Sequence, residues 1–197
     1  MLTLHLNRIE SPIGELLFVT DTEHRVRALD FADHEVRMGR LLREHYGQYE
    51  IAEGTPDSVE REYIDKLGKY FRGDLAAVAD IPVQTHGTDF QEQVWGALKH
   101  IPAGEVITYG QLARDLGHTD PRMAKEVGAA VGANPAAVIV ACHRVIGANG
   151  ELKGYAGGPH RKEWLLGHEK AAIPVPQKRS KATRNAAVDS TADLPGF

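Results

Sequence analysis

The sequence predicts an α+β protein: a small N-terminal antiparallel sheet with helices over residues 1–84, followed by a mainly helical domain over 85–172. Three observations predict this class. Apolar residues alternate with a period of two in short runs near the N-terminus, they recur every three to four positions in later segments, and helix-start signals accumulate in the second half. The polar, proline-containing stretch 173–197 is expected to be a disordered tail.

The composition is that of a folded protein. The chain has 197 residues, of which 42% are hydrophobic, and a formal net charge of −4. No apolar run approaches the roughly 20 residues of a membrane span, and Glu10, Pro12 and Glu15 interrupt the region where a signal peptide would need its apolar core. A single cysteine, Cys142, excludes an internal disulfide and a cysteine-rich metal cluster. We therefore expect a soluble, cytoplasmic protein without a metal site.

The charge is unevenly distributed and neither demands nor excludes a nucleic-acid partner. The first 83 residues carry 16 acidic and 10 basic side chains, whereas residues 84–171 carry 9 of each. A DNA-contacting surface is therefore expected in the neutral middle part or in the basic tail, with modest non-specific affinity. In the tail, Lys178-Arg179-Ser180-Lys181 would either add phosphate contacts or simply be solvated.

Five elements are predicted in the N-terminal part. Residues 2–6, 15–20 and 25–31 are short β-prone runs separated by turn residues, which predicts a small antiparallel meander. Residues 34–46 and 58–71 carry apolar side chains on one helical face, which predicts two amphipathic helices.

Helix-start signals punctuate the second half. Thr88 and Thr108 are each followed three residues later by glutamine, the pattern of a capping box. Asp120-Pro121 combines an N-cap with proline at the first helical position, and it predicts a helix to about residue 132. The turn over 117–120 between the last two of these helices predicts a helix-turn-helix.

The segment after these helices has a different composition. Residues 136–141 are all apolar and partly β-branched, which predicts a strand buried on both faces, with Cys142 at its end. A glycine-rich loop over 154–158 and a final helix over 159–169 follow.

Cys142 has two possible roles. Most free cysteines are buried and inert. However, His143 and Arg144 follow it directly, and a neighbouring imidazole or guanidinium lowers a thiol pKa and favours the nucleophilic thiolate. Glu169, late in the final helix, is a candidate for a third group that orients the imidazole, although its spacing alone does not select it.

The predicted helix-turn-helix also has two interpretations, DNA binding or tight packing of its second helix against the core. Helices that read the major groove normally carry bulky polar side chains, and this helix offers few. Its small residues would suit a close approach to either surface; they are Ala124, Gly128, Ala129, Ala130, Gly132 and Ala133.

Several blocks in fixed order resemble one family. From Gly87 to about Lys170 the chain resembles the active-site half of the O6-alkylguanine-DNA alkyltransferases, also called methylated-DNA–protein-cysteine methyltransferases. The blocks that carry the resemblance are Asn134-Pro135, Cys142-His143-Arg144-Val145-Ile146-Gly147, Gly154-Tyr155-Ala156-Gly157-Gly158 and Arg161-Lys162-Glu163-Trp164-Leu165-Leu166.

The resemblance implies a monomeric DNA repair protein that uses no cofactor. Such a protein flips an O6-alkylated guanine out of double-stranded DNA and transfers the alkyl group to its own cysteine. Because the thioether product is stable, each molecule repairs one lesion, and the enzyme inactivates itself.

The resemblance also assigns roles in the reaction. Cys142 matches the acceptor, His143 the base that acts through a water molecule, and Glu169 the carboxylate that holds the imidazole. Tyr109 matches the tyrosine that donates a hydrogen bond or proton to the leaving guanine. Asn134 matches the asparagine that braces the cysteine-bearing segment.

Further residues match the two binding surfaces of the family. The wall of the substrate pocket is assigned to Val145, Tyr155, Ala156 and Gly157. The second helix of the helix-turn-helix is expected to enter the minor groove, and the DNA-binding residues are then Thr108, Arg122, Ala124, Lys125, Gly128 and Ala129.

Two positions depart from the family pattern. Ala141 replaces the usual proline before the cysteine, which loosens the backbone that leads to the nucleophile. Lys125 stands where the family has the arginine that fills the gap left by the flipped base. Lysine lacks the planar fork that stacks and hydrogen-bonds there, so we expect weaker base flipping, unless Arg122 one turn earlier substitutes.

Two other functions remain as alternatives. The first is an alkyltransferase-like sensor that recognises alkylated guanine and recruits other repair factors without accepting the group. The second is a Cys-His hydrolase with many turnovers on an acyl substrate. The presence of Cys142 favours transfer over the sensor, whereas Ala141 and Lys125 keep the sensor open.

Overall fold

The computed structural model describes residues 1–152 and 154–173. Its N-terminal sheet has four strands in the order β3-β2-β1-β4. β1 and β2 pair antiparallel, as do β2 and β3, whereas β4 pairs parallel with β1. The strands are β1 (Leu2–Ile9), β2 (Leu16–Asp21), β3 (Val26–Phe31) and β4 (Tyr49–Glu53).

The predicted three-stranded antiparallel meander is therefore confirmed. The fourth strand, which pairs parallel with β1, was not predicted. In β4 the sequence Tyr-Glu-Ile-Ala-Glu lies mostly exposed at the sheet edge. An exposed edge strand needs no buried face, so it carries little of the apolar alternation that identifies a strand.

The sheet is covered on both faces, which explains why every residue of β2 is buried. Leu16 and Phe18 point to a large core, and Leu17 and Val19 point to a smaller one on the other face. Helix α1 (Glu35–Tyr46) closes the smaller core with Met38 and Leu42.

Helix α2 (Ser58–Phe71) has the predicted bounds. The Asp57 side chain accepts hydrogen bonds from the N–H groups of Val59 and Glu60, and the Glu60 carboxylate accepts one from the N–H of Asp57. This reciprocal capping box fixes the start of the helix. Leu67 and Tyr70 then face the large core.

The second half is mainly helical, as predicted. It contains α3 (Asp89–Leu98), β5 (Ile107–Thr108), α4 (Tyr109–Asp115), α5 (Met123–Gly132), a 3₁₀ turn (Cys142–Arg144), β6 (Val145–Ile146) and α6 (Pro159–His168). β5 and β6 form a short parallel pair. α4 and α5 pack together across the turn that contains Gly117, whose φ is 87°.

The three predicted helix starts have different outcomes. Thr88 and Gln91 form a complete capping box. The Thr108 hydroxyl accepts a hydrogen bond from the N–H of Gln111, but the Gln111 side chain donates to Asp115 instead of returning to Thr108. The third prediction is wrong in detail, because α5 begins at Met123 rather than at the proline.

The buried strand predicted over 136–141 is wrong. These residues form turns, and only Ala136 makes an isolated bridge, to Leu29. Val138 has a φ of 69°, which is rare for a β-branched residue and incompatible with a strand. The run is apolar because it crosses the core, and periodicity cannot distinguish a buried turn from a buried strand.

The large core joins the two halves of the chain. It contains Phe18, Leu29 and Phe31 of the sheet together with Trp95 and Val127 of the helical half. The domain boundary at residue 84 stays a prediction. Across the described residues, every helix is too short or too polar to cross a membrane. The predicted tail from residue 174 onward lies outside the described residues.

Candidate active site

Cys142 lies at the first position of the 3₁₀ turn and is 4% exposed. The side-chain amide of Asn134, which is also buried, donates to its Sγ at 3.0 Å and to the carbonyl oxygen of Val140 at 2.9 Å. The amide oxygen of Asn134 accepts from the N–H of Ala136. The Asn134 side chain therefore binds the main chain at Ala136 and at Val140 as well as the sulfur of Cys142.

The backbone before the sulfur is tightly turned. Ala141 has φ −76° and ψ 55°, and the N–H of Cys142 donates to the carbonyl of Val140 at 2.7 Å. These values define an inverse γ-turn centred on Ala141. The sulfur is thus presented from a turn that Asn134 holds, rather than from the end of a strand.

Glu169 caps the C-terminus of α6 and is buried next to His143, as sequence reasoning proposed. Nε2 of His143 lies 2.9 Å from Oε1 of Glu169. Arg144 donates from Nε to Oε2 at 2.9 Å and from Nη2 to Oε1 at 2.7 Å. The hydroxyl of Tyr70 donates to Oε1 at 2.7 Å.

These contacts set the charge of Glu169 and the tautomer of His143. Burial raises the pKa of Glu169, but hydrogen bonds from His143, Arg144 and Tyr70 outweigh it and hold the pKa below its ordinary value. An ionised carboxylate can only accept, so Nε2 of His143 carries the proton. Nδ1 is then the basic nitrogen, and it is buried with no hydrogen-bond partner within the described residues.

Burial lowers the pKa of His143, and the Glu169 carboxylate opposes that effect only in part. The imidazole is therefore neutral at pH 7. A neutral imidazole with a free lone pair on a buried nitrogen can accept a proton during a reaction.

The expected lowering of the thiol pKa by the neighbouring cations is wrong. Arg144 turns away to Glu169, and burial raises the pKa of Cys142. The Asn134 amide and the charges of Arg37 and Lys162 act in the opposite direction without cancelling that effect. The resting sulfur is consequently a thiol, and it needs a base to become nucleophilic.

Two tyrosines, Tyr109 and Tyr155, lie near the sulfur. Burial and the neighbouring Cys142 raise the pKa of Tyr109 to about 12, so it is a proton donor at neutral pH. Gly154 leaves room for the Tyr109 hydroxyl, because a Cβ at Gly154 would lie 2.7 Å from it. The Tyr155 hydroxyl is buried and has no hydrogen-bond partner in the described part of the chain.

The remaining predicted pocket residues form the packing around these groups. Val145 is buried, and Ala156 is half-buried in the loop. Gly157 must lack a side chain, because a Cβ there would lie 2.3 Å from the ring of Phe31. Phe31 of the N-terminal sheet thus packs directly against the predicted pocket wall.

Two cations of the site were missed by sequence reasoning. Lys162 is fully buried, and its Nζ donates to the carbonyl of Val145; burial lowers its pKa to about 8. Arg37 of α1 donates to the carbonyls of Gly132 and Asn134 and pairs with Asp30. Arg37 stands in no local pattern that would separate it from a solvated charge, and Lys162 lies in a block of the family resemblance that assigned it no role.

The predicted DNA-binding residues lie on and around α5. Lys125 and Ala129 are exposed, and Ala124 is half-buried. Gly128 abuts the ring of Tyr109, since a Cβ there would lie 3.8 Å from it. Ala130 belongs to the core instead, where its carbonyl accepts from the indole of Trp95. The small residues therefore serve both packing and an open surface.

The two other predicted DNA-binding residues, Arg122 and Thr108, make contacts with residues close to them in sequence. The Arg122 guanidinium is 90% exposed and pairs with Asp120 at 2.7 Å, on the same turn. Thr108 caps α4 through its hydroxyl. Any contact of either residue with DNA stays a prediction.

Comparison with known proteins identifies relatives over most of the chain. Residues 89–171 match the family model described as 6-O-methylguanine DNA methyltransferase, DNA binding domain. The methylated-DNA–protein-cysteine methyltransferase of Salmonella typhimurium is 47% identical over 172 residues, which cover 86% of this chain and 97% of that protein.

Solved structures agree with this result. The crystal structure of the Mycobacterium tuberculosis O6-methylguanine methyltransferase is 37% identical with a TM-score of 0.68, and the match covers 85% of this chain and 93% of that one. The Mycobacterium tuberculosis OGT in complex with DNA is 36% identical with a TM-score of 0.66, covering 87% and 95%. The chain belongs to the methylated-DNA–protein-cysteine methyltransferase family.

Proposed function

We propose that the chain repairs DNA by moving the O6-alkyl group of a guanine irreversibly to Cys142. The observation that carries this proposal is the grouping of a buried thiol with the His143–Glu169 pair, whose Nδ1 is unpartnered in the described residues. The family membership supports the same reaction.

The proposed reaction is a displacement at the alkyl carbon. The bond from that carbon to guanine O6 breaks, and a bond to Sγ of Cys142 forms. The thiol proton passes to Nδ1 of His143 through a bridging water, and Tyr109 donates a proton to the leaving guanine. Both groups then exchange protons with solvent, so that the net change replaces the thiol hydrogen by the alkyl group.

Because this thioether is stable, the protein acts once. Its catalytic power is expressed in the second-order rate constant for transfer, to which thiol deprotonation and protonation of the leaving group contribute. Asn134 is proposed to hold the sulfur in place, and Glu169 to hold the imidazole.

The substrate is proposed to be double-stranded DNA that contains O6-alkylguanine. The pocket is proposed to be lined by Tyr155, Ala156, Gly157 and Val145. The exposed face of α5, with Lys125 and Ala129, would approach the minor groove while the base is flipped. A relative of this fold was solved in complex with DNA, which supports this partner.

We also propose that the protein is a monomer in the cytoplasm. The reaction consumes a reduced thiol, and the cytosol keeps thiols reduced. Cys142 is the single cysteine of the chain, so no other thiol competes for oxidation or alkylation.

The test is the mass of the intact protein after incubation with duplex DNA that contains one O6-methylguanine. We expect one methyl group on the protein, located on the Cys142 peptide, and none on Cys142→Ser. Retention of the DNA without a mass gain would indicate the sensor function instead. Repeated turnover of an acyl ester without a mass gain on methylated DNA would indicate a hydrolase.

A further inference from the structure

Tyr70, in helix α2 of the N-terminal half, reaches the carboxylate of the candidate active site. Its side chain is fully buried, and its hydroxyl donates to Oε1 of Glu169 at 2.7 Å across 99 positions of sequence. Its backbone carbonyl also lies 2.7 Å from Nε2 of His168, in the last turn of α6. One residue of α2 therefore contacts the end of α6 through both its side chain and its main chain.

We propose that Tyr70 is a positioning residue that sets the basicity of His143 by competing with it for Oε1 of Glu169. This inference rests on the proposed function and adds the N-terminal half to the transfer chemistry. It predicts that the N-terminal half does more than support the fold.

Three donors compete for one oxygen of Glu169. Oε1 of Glu169 accepts from three donors: Tyr70 at 2.7 Å, Nε2 of His143 at 2.9 Å and Nη2 of Arg144 at 2.7 Å. A carboxylate oxygen offers two lone pairs, so each of three donors receives less than its full share. Loss of the neutral Tyr70 donor leaves more electron density for His143, and a stronger hydrogen bond to Nε2–H makes the ring more basic.

The other charged groups around the pair come from two elements. Arg144, in the 3₁₀ turn, donates to both oxygens of Glu169, and Lys162, on α6, adds positive charge near His143. Both cations favour the neutral imidazole. Both positive charges stay in place when the Tyr70 hydroxyl is removed, so the variant changes the hydrogen bonds of Glu169 but not the charges around the pair.

The surroundings of Tyr70 allow its hydroxyl to be removed alone. The ring packs edge-on against Phe71 and His168, with centroid distances of 5.3 and 5.4 Å. Tyr70→Phe keeps this packing and removes only the donor. His168→Phe is the matched control, because it keeps a ring stacked on Trp164 and removes the bond to the Tyr70 carbonyl without touching Glu169.

The first readout is the NMR titration of His143, which needs no DNA. The chain has 10 histidines, and the His143 signals are assigned by their loss in His143→Gln. In Tyr70→Phe we expect a downfield shift of the Nε2 proton of His143. We also expect its pKa to rise by roughly half a unit to one unit, the size of one ordinary hydrogen bond. His168→Phe should lower the unfolding temperature without moving either signal.

The second readout is the pH profile of methyl transfer. The neutral imidazole is the active form, so a higher pKa in Tyr70→Phe moves the acid limb toward neutral pH. Transfer should be about three- to tenfold slower on that limb and recover at higher pH. A 3-fluorotyrosine placed at position 70 is a stronger donor and should shift both readouts in the opposite direction.

The outcomes are distinguishable from failure of the proposed function. If the wild-type protein transfers no methyl group, the proposed function fails, and the His143 titration still tests the role of Tyr70. The inference is overturned if His143 has the same proton shift and pKa in wild type, Tyr70→Phe and the fluorotyrosine protein. It is also overturned if His168→Phe shifts them as much as Tyr70→Phe does.

Discussion

Glu169 and Cys142 are both buried in the same site, but the protein stabilises charge on only one of them. Glu169 receives hydrogen bonds from His143, Arg144 and Tyr70, which hold its pKa low. Cys142 receives one amide hydrogen bond from Asn134, and burial raises its pKa. The negative charge of the carboxylate is therefore permanent, whereas the sulfur becomes charged only when its proton passes to His143 during transfer.

The largest effect is expected for Glu169→Gln, which removes the permanent charge. The amide of glutamine can turn its NH2 group toward Nε2 and stabilise the other tautomer of His143, so we expect the second-order rate constant of transfer to fall by about 10² to 10⁴. Arg144 would also lose its buried partner, which costs about 3–5 kcal/mol of unfolding free energy. Transfer kinetics and urea unfolding measure the two effects. An unchanged rate constant in a folded variant would show that Glu169 does not assist transfer.

The next largest effect is expected for Asn134→Ala, which changes the surroundings of the sulfur of Cys142. It removes the donor to Sγ, leaves the N–H of Ala136 unpaired and takes away one of the two donors to the carbonyl of Val140, which keeps the N–H of Cys142. We expect transfer to slow by about tenfold and stability to fall by about 2–4 kcal/mol. Asn134→Asp keeps the acceptor for Ala136 but adds a negative charge beside the sulfur.

The Asp variant should therefore lose more activity than the Ala variant, because the added charge disfavours the thiolate. If the two variants lose activity in proportion to stability, Asn134 serves the fold alone. Chemical unfolding and single-turnover transfer on the same samples separate these cases.

Lys125→Arg changes base flipping and leaves the charges of Glu169 and Cys142 as they are. An arginine can stack in the duplex and hydrogen-bond the orphan cytosine, so we expect DNA affinity or transfer to rise by about three- to tenfold. The His143 titration should stay the same, because Lys125 is exposed on α5. Unchanged affinity and rate in Lys125→Arg would show that lysine fills the gap equally well.

The smallest expected effect is that of Ala141→Pro. Ala141 already has a φ of −76°, within the range that proline imposes. Within residues 1–152 and 154–173, its N–H donates no backbone hydrogen bond. We expect a gain of about 0.4–1 kcal/mol in stability, through a less flexible unfolded chain. Thermal unfolding is the measurement, and a loss of stability would mean that proline strains Val140.

The sequence predicted those parts of the molecule whose signals are local. The bounds of α2 agree with the structure because its apolar residues recur on one helical face, a signal that lies within the helix itself. Asn134, Cys142 and His143 stand within ten residues of one another, and a family resemblance could assign them together. Their geometry in the structure is compatible with the assigned roles, which transfer experiments have to test.

The parts that the sequence could not predict depend on contacts between distant segments. Tyr70 and Arg37 occupy ordinary amphipathic helices, and only the packing of α1 and α2 on the second half brings them to the site. The false strand over 136–141 has the same origin, because an apolar run shows burial but not conformation. The thiol pKa was misjudged because Arg144 lies next to Cys142 in sequence and yet contacts Glu169 in space.

The most direct test of the account is a titration of Cys142 in the free protein. It is the single cysteine, so thiolate absorbance corrected with Cys142→Ser reports on this sulfur alone. We expect a thiol that stays protonated at neutral pH, with a pKa raised above its ordinary value by burial, in a protein that still transfers methyl groups at neutral pH. A thiolate already present at pH 7 would contradict it, because the sulfur would then need no proton transfer to His143.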